Sequence, residues 1–436
     1  MDITRNKIWR NWSGSVACRP RALMKPQTID ELTELVGRCG SEGRRVRIVG
    51  AGHSFTPLVQ TDDILISLEH LQGIEQVDRE RNRVTVLGGT QLKRLGEELL
   101  TEGLAQENLG DIDVQSIAGA ISTGTHGTGV NFGTLSTQIE GITLLTASGE
   151  LLECSPEQNS ELFKAAQVSL GMLGVIVKVV LRVVPAHQLH FQSRREHISD
   201  ILASLDERKQ ENNHFEFFWF PHTEWVQAKY LNEVEAVPQE RKSTFWNDLN
   251  KVVLENGVYW LISESCRVAP GLSSAMSNVS AFGVASIEET DYSHRLFATP
   301  RMVRFQEMEY NIPAEHLKIV LAELRNYIER RKIRVHFPIE CRFVHSDDIW
   351  LSPAYQRDSA YVAVHMYRGM PYQDYFEHAE EIFKRYDGRP HWGKMHNLAA
   401  DELARRYPRW HDFRRIRAEL DPNGLFMNDY LRQLFA

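Results

Sequence analysis

The most restrictive feature of this sequence is a glycine-rich segment at residues 116–142, SIAGAISTGTHGTGVNFGTLSTQIEGI. Its first four glycines are Gly119, Gly124, Gly127 and Gly129. Glycine lets backbone segments approach closely, and successive backbone N–H groups in such a loop can surround an anion. The hydroxyl groups that could add donors belong to Ser122, Thr123, Thr125 and Thr128. The segment predicts either a loop that cradles a diphosphate or a run of tight turns at a crowded sheet edge, and the glycines alone leave both open.

A second small-residue turn, GAGHSF at residues 50–55, follows the run RRVRIV, which predicts a strand. Neither glycine pattern is that of a common nucleotide loop. The long segment has the order G-x-x-G-x-G and lacks the G-K-[ST] of a P-loop, and Phe55 stands where a Rossmann turn needs its third glycine. Gly50, Ala51 and Gly52 allow close backbone approach, but the ionisable His53 that follows them calls for a separate explanation.

The first 186 residues alternate between helical and strand patterns. Thr28 and Glu31 form the pattern of a capping box, and apolar residues at helical spacing follow up to Gly40. A second amphipathic helix is predicted at residues 90–103. Strands are predicted at residues 44–49, 63–68, 82–88, 139–149 and 174–185. The simplest interpretation is an α/β domain followed, from about residue 187, by an α+β domain with a larger antiparallel sheet.

Composition excludes several classes of function. The 50 Lys and Arg against 58 Asp and Glu give a formal charge of −8, which argues against a nucleic-acid partner. The five cysteines are scattered and never spaced as C-x-x-C, so we expect neither a disulfide framework nor a metal site. Residues 1–12 contain no apolar core of a signal peptide, and the apolar stretch 169–185 is interrupted by Lys178 and Arg182. We therefore expect a cytoplasmic protein without a membrane span.

The ordered series of GAGHSF, the glycine-rich segment, ASGE at residues 147–150 and SLGMLGVI at residues 169–176 resembles the FAD-binding domain of the vanillyl-alcohol oxidase superfamily. The resemblance covers about residues 15–186 and implies that the two glycine loops hold the FAD pyrophosphate. Where the first turn of this superfamily carries a histidine at the place of His53, that residue is commonly bonded to the 8α-methyl carbon of the flavin. The resemblance thus implies a covalent tether, and the alternative is a histidine hydrogen-bonded to a loop carbonyl.

The segment RPHWGKMHNL at residues 389–398 resembles the H-W-[AG]-K motif of the aldonolactone oxidase and alditol oxidase branch. Two further segments support the same branch. FPIECRFVHSD carries Glu340 and Arg342 at i, i+2, on one face of a strand, and YVAVHMYRG carries His365. Each of these has a plain structural explanation: a surface ion pair, a packed histidine, or a solvated charge for Lys394. Their joint occurrence in the order of the family favours function.

Oxidation of a carbinol by hydride transfer to a flavin needs a group that accepts the hydroxyl proton and positive charge at the N1 side of the flavin. By matching position, the resemblance implies that Lys394 supplies that charge and that Arg342 binds the substrate oxygen. It implies that Glu340 binds the substrate hydroxyls and that His365 accepts the proton, with Glu340 as the alternative acceptor. A protein that only binds flavin or a nucleotide would not need these four polar residues together.

The resemblance implies an α+β fold with a vanillyl-alcohol-oxidase-type FAD-binding domain at residues 1–186, a substrate-binding cap domain at 187–385 and a C-terminal segment at 386–436 that returns to the FAD domain. The residues predicted to bind the cofactor are Gly50, Ala51, Gly52, His53, Ser54, Gly110, Asp111, Ser116, Gly119, Ala120, Ser122, Thr123, Gly124, Thr125, His126, Gly127, Gly174, Val175, Ile176, Lys394 and His396.

The substrate and the electron acceptor depend on two neighbouring residues. Gly110 matches the position near flavin N5 at which a side chain can block oxygen, and glycine there is typical of oxidases, although a simple turn would explain it equally well. Asp111 stands where alditol oxidases have serine. The sequence therefore favours a sugar 1,4-lactone of the L-gulono, L-galactono or D-arabinono type, with O2 as acceptor and H2O2 as product. An alditol such as xylitol, or an acceptor such as a quinone or cytochrome, remains the alternative.

Overall fold

The first predicted helix forms where its capping residue indicates. In the computed structural model, which describes residues 1–235, 245–298 and 303–435 and no side chains between 245 and 256, this helix spans Ile29–Ser41. The Thr28 hydroxyl accepts the backbone N–H of Glu31 at 3.1 Å. The reciprocal contact differs from the predicted capping box, because the Glu31 carboxylate accepts the N–H of Gln27 at 2.9 Å. The helix start is confirmed, and the second half of the box is displaced by one residue.

The helix connects strands of a four-stranded mixed sheet, here called the N-terminal sheet. Its strands, in spatial order, are Asp2–Arg5, Ala22–Lys25, Ile64–Ser67 and Val46–Val49. The last three are parallel to one another. Val46–Val49 ends directly before Gly50, so the GAGHSF turn leaves the sheet at the carboxyl end of its parallel strands, which is where open sheets of this kind bind ligands.

A second, five-stranded antiparallel sheet follows. Its strands, in spatial order, are Leu151–Cys154, Ile139–Leu145, Val175–Arg182, Arg83–Leu87 and Ile74–Asp78. The glycine-rich segment starts with the short helix Ile117–Ser122 and ends by entering the strand Ile139–Leu145. The predicted strands of this half are thus confirmed in type and order, with ends trimmed by a few residues.

The third sheet, here called the large sheet, has eight strands and is antiparallel throughout. Its strands, in spatial order, are Ile287–Tyr292, Gln188–His197, Trp225–Val234, His214–Trp219, Ile339–Val344, Ser359–Tyr367, Phe305–Pro313 and Arg389–Pro390. Together with the helices this confirms the predicted α+β class with a large antiparallel sheet. Because the sheet draws strands from residues 188 to 390, it gathers side chains that are far apart in the sequence.

Helices cover the sheets and close the chain. The remaining helices are Leu92–Thr101, Ser160–Ala166, Ile198–Ala203, Leu205–Glu211, Phe245–Val268, Ser273–Phe282, Ser293–Phe297, Leu317–Arg331, Gln373–Arg385, Ala400–Arg406, Trp410–Leu420 and Asp429–Phe435. Two-stranded pairs link Trp9–Arg10 with Ala17–Cys18 and Leu104–Ala105 with Val184–Pro185. Among the described residues, no helix combines the length and apolar character that crossing a bilayer requires.

The C-terminal segment crosses back to the N-terminal sheet. The backbone N–H of Val46 donates to the carbonyl of Leu425 at 2.8 Å, and the Arg47 guanidinium also binds the carbonyl of Phe426. An aromatic cluster that includes Trp392, Trp410 and Phe435 anchors the segment, with the last two rings stacked 4.2 Å apart. Backbone hydrogen bonds hold residues 389–395 between the large sheet and the GAGHSF turn: Met395 donates to Glu307, and Phe55 donates to Gly393.

Candidate active site

Two adjoining cavities lie where the glycine loops meet the large sheet. The first, here called the glycine cavity, is lined by the GAGHSF turn, the start of the glycine-rich segment and residues 170–176. The second, here called the acidic pocket, is lined by side chains of the large sheet and by the segment that carries Lys394. His53, Ser54, Gln115 and Thr123 line both cavities, so the two spaces meet at these residues.

Close backbone approach explains the glycines of the first cavity. A Cβ atom at Gly50 would lie 2.5 Å from Ser116 Oγ, and one at Gly119 would lie 2.9 Å from the same atom. Ser116 Oγ accepts the backbone N–H of Gly119 at the start of the short helix. Both loops therefore approach Ser116 so closely that a side chain at Gly50 or Gly119 would clash with its hydroxyl group.

Arg47 gives the glycine cavity a buried positive charge. Its guanidinium donates to the carbonyls of Leu58 at 2.8 Å, Leu170 at 2.7 Å and Gly171 at 3.0 Å. Burial lowers the pKa of Arg47 to about 9, so the group stays cationic at neutral pH. Arg47 lines the glycine cavity, and its positive charge, which Asp421 partly offsets, favours an anionic group such as a diphosphate there.

Most of the predicted cofactor residues line one of the two cavities. The glycine cavity contains Gly50, Ala51, Gly52, His53, Ser54, Ser116, Gly119, Ser122, Thr123, Gly174, Val175 and Ile176. The acidic pocket adds Gly110, Asp111, Thr125, His126 and Lys394. The predicted residues outside both linings are Ala120, Gly124, Gly127 and His396. The ring of His396 lies instead against the C-terminal helix, with Nε2 3.1 Å from the Tyr430 hydroxyl.

Arg342 forms the centre of the acidic pocket. Its Nη2 lies 2.5 Å from Asp111 Oδ1 and 2.6 Å from Glu340 Oε1, and its Nε donates to Glu216 Oε2 at 2.7 Å. Burial alone would lower the pKa of Arg342, but Asp111, Glu216 and Glu340 outweigh it and raise the pKa well above the usual value. Glu216 also pairs with a second cation, since Lys229 Nζ lies 2.9 Å from Glu216 Oε1. A buried network of this kind is not the exposed ion pair that a Glu-x-Arg strand usually forms.

Lys394 and His365 line the same pocket and share a contact with Glu307. Lys394 Nζ lies 2.6 Å from Glu307 Oε1, and His365 Nε2 lies 3.5 Å from the same oxygen. Burial opposes the charge on Lys394, but Glu307 and Glu309 raise its pKa above the usual value. The four predicted catalytic residues thus line a single pocket.

His126 and His391 form a further buried group around Glu309. His126 Nε2 lies 3.2 Å from Glu309 Oε1, and its ring stacks on Tyr361 at a centroid distance of 3.6 Å. Burial would raise the pKa of Glu309, but His126 holds it well below the usual range. Burial lowers the pKa of His391 to about 3, so its ring is neutral and accepts the N–H of Gly393 at 3.0 Å.

His53 sits where the two cavities meet. Its ring stacks on Trp12 with centroids 5.4 Å apart and planes 20° apart. Burial, with a smaller contribution from Lys394, lowers the pKa of His53 to about 4. The imidazole is therefore neutral at physiological pH and can act as a nucleophile.

Sequence reasoning missed the acids that hold these groups. Glu216, Glu307 and Glu309 lie at most 5% exposed in strands of the large sheet. A signal was available, because FQEMEYNIP places two acids at i, i+2 within a run that is otherwise mostly apolar. Their partners, however, come from other strands, and nothing local identifies those partners.

Two known family models match this chain. Residues 179–434 match the family model of D-arabinono-1,4-lactone oxidase, and residues 20–155 match that of an FAD-binding domain. The chain belongs to the D-arabinono-1,4-lactone oxidase family. The predicted branch and an FAD-dependent oxidoreductase activity are thereby confirmed.

Individual relatives span the whole chain. The chain is 42% identical over 433 residues to L-gulono-1,4-lactone dehydrogenase of Mycobacterium tuberculosis, covering 98% of this chain and 99% of that one. It is 35% identical over 432 residues to L-gulonolactone oxidase of Scyliorhinus torazame, covering 98% of each. Among solved structures, cholesterol oxidase from B. sterolicum matches with a TM-score of 0.84 at 18% identity, covering 100% of this chain and 97% of that one, which confirms the fold.

The glycine cavity fits the cofactor of an FAD-binding domain. Close backbone approach at Ser116, the serine and threonine hydroxyls and the cationic Arg47 are what a dinucleotide diphosphate requires. His53 lies at the junction of this cavity with the acidic pocket, and Lys394 lines the acidic pocket alone.

Proposed function

We propose that this enzyme oxidises a neutral sugar 1,4-lactone of the L-gulono, L-galactono or D-arabinono type at C2, and that O2 accepts the electrons and becomes H2O2. The 2-keto lactone formed in this way enolises to an ascorbate-type enediol. The observation that carries the proposal is the acidic pocket, in which Arg342, Glu340, His365 and Lys394 converge beside the cavity of the FAD-binding domain. FAD supplies the hydride acceptor.

His365 is the proposed proton acceptor. Its Nδ1 lies 3.0 Å from the carbonyl oxygen of Pro338, so that nitrogen carries the hydrogen and donates it. Nε2 is then left to accept a proton from the substrate hydroxyl. Glu307 at 3.5 Å and Glu340 at 4.0 Å would stabilise the imidazolium that results. Glu340 is the weaker candidate because its carboxylate is already paired with Arg342 at 2.6 Å, which makes it a weaker proton acceptor.

The charges of the pocket favour a neutral substrate. Arg342 is already contacted by three carboxylates, so it has no excess charge for an anionic substrate. The carboxylates of Asp111 and Glu340 are positioned instead to accept hydrogen bonds from hydroxyl groups. Asp111 supports a lactone over an alditol, because alditol oxidases carry serine at this place.

We propose that His53 is covalently bonded to the flavin, as its neutral ring at the junction of the two cavities supports. Wild-type protein precipitated with acid should retain its yellow colour in the pellet. The His53→Ala variant should release the flavin to the supernatant, and the exposed-histidine variant His378→Ala should behave as wild type. A colourless wild-type pellet would refute the tether.

Gly110 is the residue that the sequence links to the choice of electron acceptor. A Cβ atom at Gly110 would lie 2.8 Å from the carbonyl oxygen of His126, so two crossing backbone segments require glycine here whatever the acceptor is. Slow reoxidation of a Gly110→Ala variant would therefore reflect this clash as well as any oxygen gate. O2 is supported by the relatives named oxidases, and a different acceptor is supported by the 42% identical relative named a dehydrogenase.

The decisive experiment is anaerobic bleaching of the flavin absorbance with L-gulono-1,4-lactone and xylitol in separate samples. We expect the lactone to bleach the flavin rapidly and xylitol to leave it oxidised. Admitting air should then restore the colour within seconds if O2 is the acceptor, whereas slow recovery that a quinone accelerates would identify a dehydrogenase. Bleaching by xylitol alone would replace the lactone proposal with an alditol oxidase.

A further inference from the structure

One strand of the large sheet organises both sides of the acidic pocket. In Phe305–Pro313, Glu307 stands directly opposite His365 of the antiparallel strand Ser359–Tyr367. On the other edge of the same strand, the backbone N–H of Met395 donates to the carbonyl of Glu307 at 3.0 Å. Glu307 therefore lies between the strand that carries His365 and the segment that carries Lys394.

A single oxygen of Glu307 contacts both functional groups. Oε1 lies 2.6 Å from Lys394 Nζ and 3.5 Å from His365 Nε2, while the Glu307 side chain is only 6% exposed. Burial would raise the pKa of Glu307, but Lys394 and His365 hold it at about 2, so the carboxylate stays ionised. A buried, ionised carboxylate between two such groups fixes their relative position. Moving Lys394 away would leave the charge of Glu307 unpaired, and moving His365 away would separate Glu307 from the imidazolium that forms in the reaction.

We propose that Glu307 is a positioning residue that joins Lys394 to His365, so that the cofactor-facing charge and the proton acceptor are held as one unit. This inference rests on the proposed function, in which His365 accepts the substrate hydroxyl proton. Glu307 lines the acidic pocket beside these two residues. It acts through the two residues that its Oε1 contacts.

The role of Glu307 follows from the balance of the reaction. The carbinol carbon gives up a hydride, its hydroxyl gives up a proton to His365 Nε2, and a carbonyl remains. The new imidazolium then lies between the carboxylates of Glu307 and Glu340, which come from the two strands that flank that of His365. Each of these carboxylates also contacts a cation: Glu307 contacts Lys394, and Glu340 contacts Arg342. The ring also contacts two uncharged groups: Nδ1 lies 3.0 Å from the Pro338 carbonyl, and Phe305 packs against the ring in a T-shaped arrangement with centroids 5.1 Å apart.

The test compares Glu307→Gln with Glu307→Asp in anaerobic single-turnover reduction by L-gulono-1,4-lactone across a range of pH. The glutamine variant should bind the lactone with a similar Kd but should be reduced roughly 10- to 100-fold more slowly, because the two groups are no longer held together. The acid limb of its pH profile should move to lower pH, because one of the two anions that favour protonation of His365 is gone. The aspartate variant keeps the negative charge, but its side chain is too short to contact both Lys394 and His365. We therefore expect the acid limb of its pH profile to stay at the wild-type position and its rate of reduction to be lower.

Glu380→Gln is the matched control. Glu380 is 4% exposed, accepts hydrogen bonds from the Tyr310 hydroxyl and the Asn397 side-chain amide, and lies outside the residues that line the acidic pocket. Its variant should leave the acid limb at the wild-type position. A Glu307→Gln limb that does not move, or a Kd that rises at unchanged rate, would overturn the inference.

Two further outcomes separate a failure of the role of Glu307 from a failure of the proposed function. If Glu307→Gln does not retain FAD, Glu307→Asp decides alone: a slowed rate with an unmoved limb supports the inference, and a wild-type rate refutes it. If none of the L-gulono-, L-galactono- and D-arabinono-1,4-lactones reduces wild-type enzyme at any pH, the proposed function itself has failed. A wild-type enzyme that is reduced, with a Glu307→Gln variant indistinguishable from it, refutes only the role of Glu307.

Discussion

Replacing Arg342 with methionine is expected to slow flavin reduction by about 10²–10³-fold and to lower the free energy of unfolding by about 3–5 kcal/mol. Three carboxylates, Asp111, Glu216 and Glu340, lie within 2.7 Å of the guanidinium. Without it, buried negative charges face one another with little compensation. Both quantities can be measured on one preparation, by anaerobic reduction with the lactone and by urea denaturation.

Two variants separate burial from charge in this prediction. Arg79→Met breaks an ion pair with Glu102 of similar length, 2.6 Å, but the Arg79 side chain is 62% exposed, so its loss should cost less than about 1 kcal/mol. Arg342→Lys restores the charge but cannot contact three carboxylates at once, so stability should return further than activity. An Arg342→Met protein as stable as wild type would show that these carboxylates are not all ionised.

The His365→Ala variant should reduce its flavin about 10²–10⁴-fold more slowly while its Kd for the lactone changes little. The reason is that Nε2 is the proposed acceptor of the hydroxyl proton, whereas recognition of the sugar is assigned to Asp111, Glu340 and Arg342. Imidazole added to the solution should restore part of the rate, since the missing ring leaves a space next to the pocket. Stopped-flow reduction at several lactone concentrations separates the rate from the Kd.

The comparison variant for this prediction is Glu340→Gln. If His365 is the base, Glu340→Gln should mainly weaken lactone binding and should not respond to imidazole. The reverse pattern, with a normal rate in His365→Ala and a collapsed rate in Glu340→Gln, would assign the proton to Glu340. His190→Ala, a partly exposed histidine elsewhere on the large sheet, controls for loss of an imidazole as such.

The parts of this protein that depend on neighbouring residues in sequence were predictable. Thr28 and the apolar spacing after it determine the first helix, because capping and helical periodicity act within a few residues. The position of the GAGHSF turn was predicted correctly because the β-branched run before it forms a strand, and the turn begins where that strand ends. Local patterns also identified Glu340 and Arg342 as facing the same side of one strand.

The parts that depend on strand pairing were not predictable. Glu216 reaches Arg342 only because His214–Trp219 pairs with Ile339–Val344, which are more than a hundred residues apart in the sequence. Glu307 reaches His365 and Lys394 because its strand has a neighbour on each edge. His396 shares a motif with Lys394, yet its ring lies against Tyr430, because the segment is irregular there and no fixed period relates the two side chains.

The return of the C-terminal segment to the N-terminal sheet determines when the site can come into existence. Arg47 is not fully bound until the carbonyl of Phe426 reaches it, and Lys394 arrives only when residues 389–395 join the strand Phe305–Pro313. A ribosome delivers these residues after both glycine loops. The growing chain therefore carries the two loops before it has the groups that complete either cavity, and the site cannot be complete until residues 389–426 have been added.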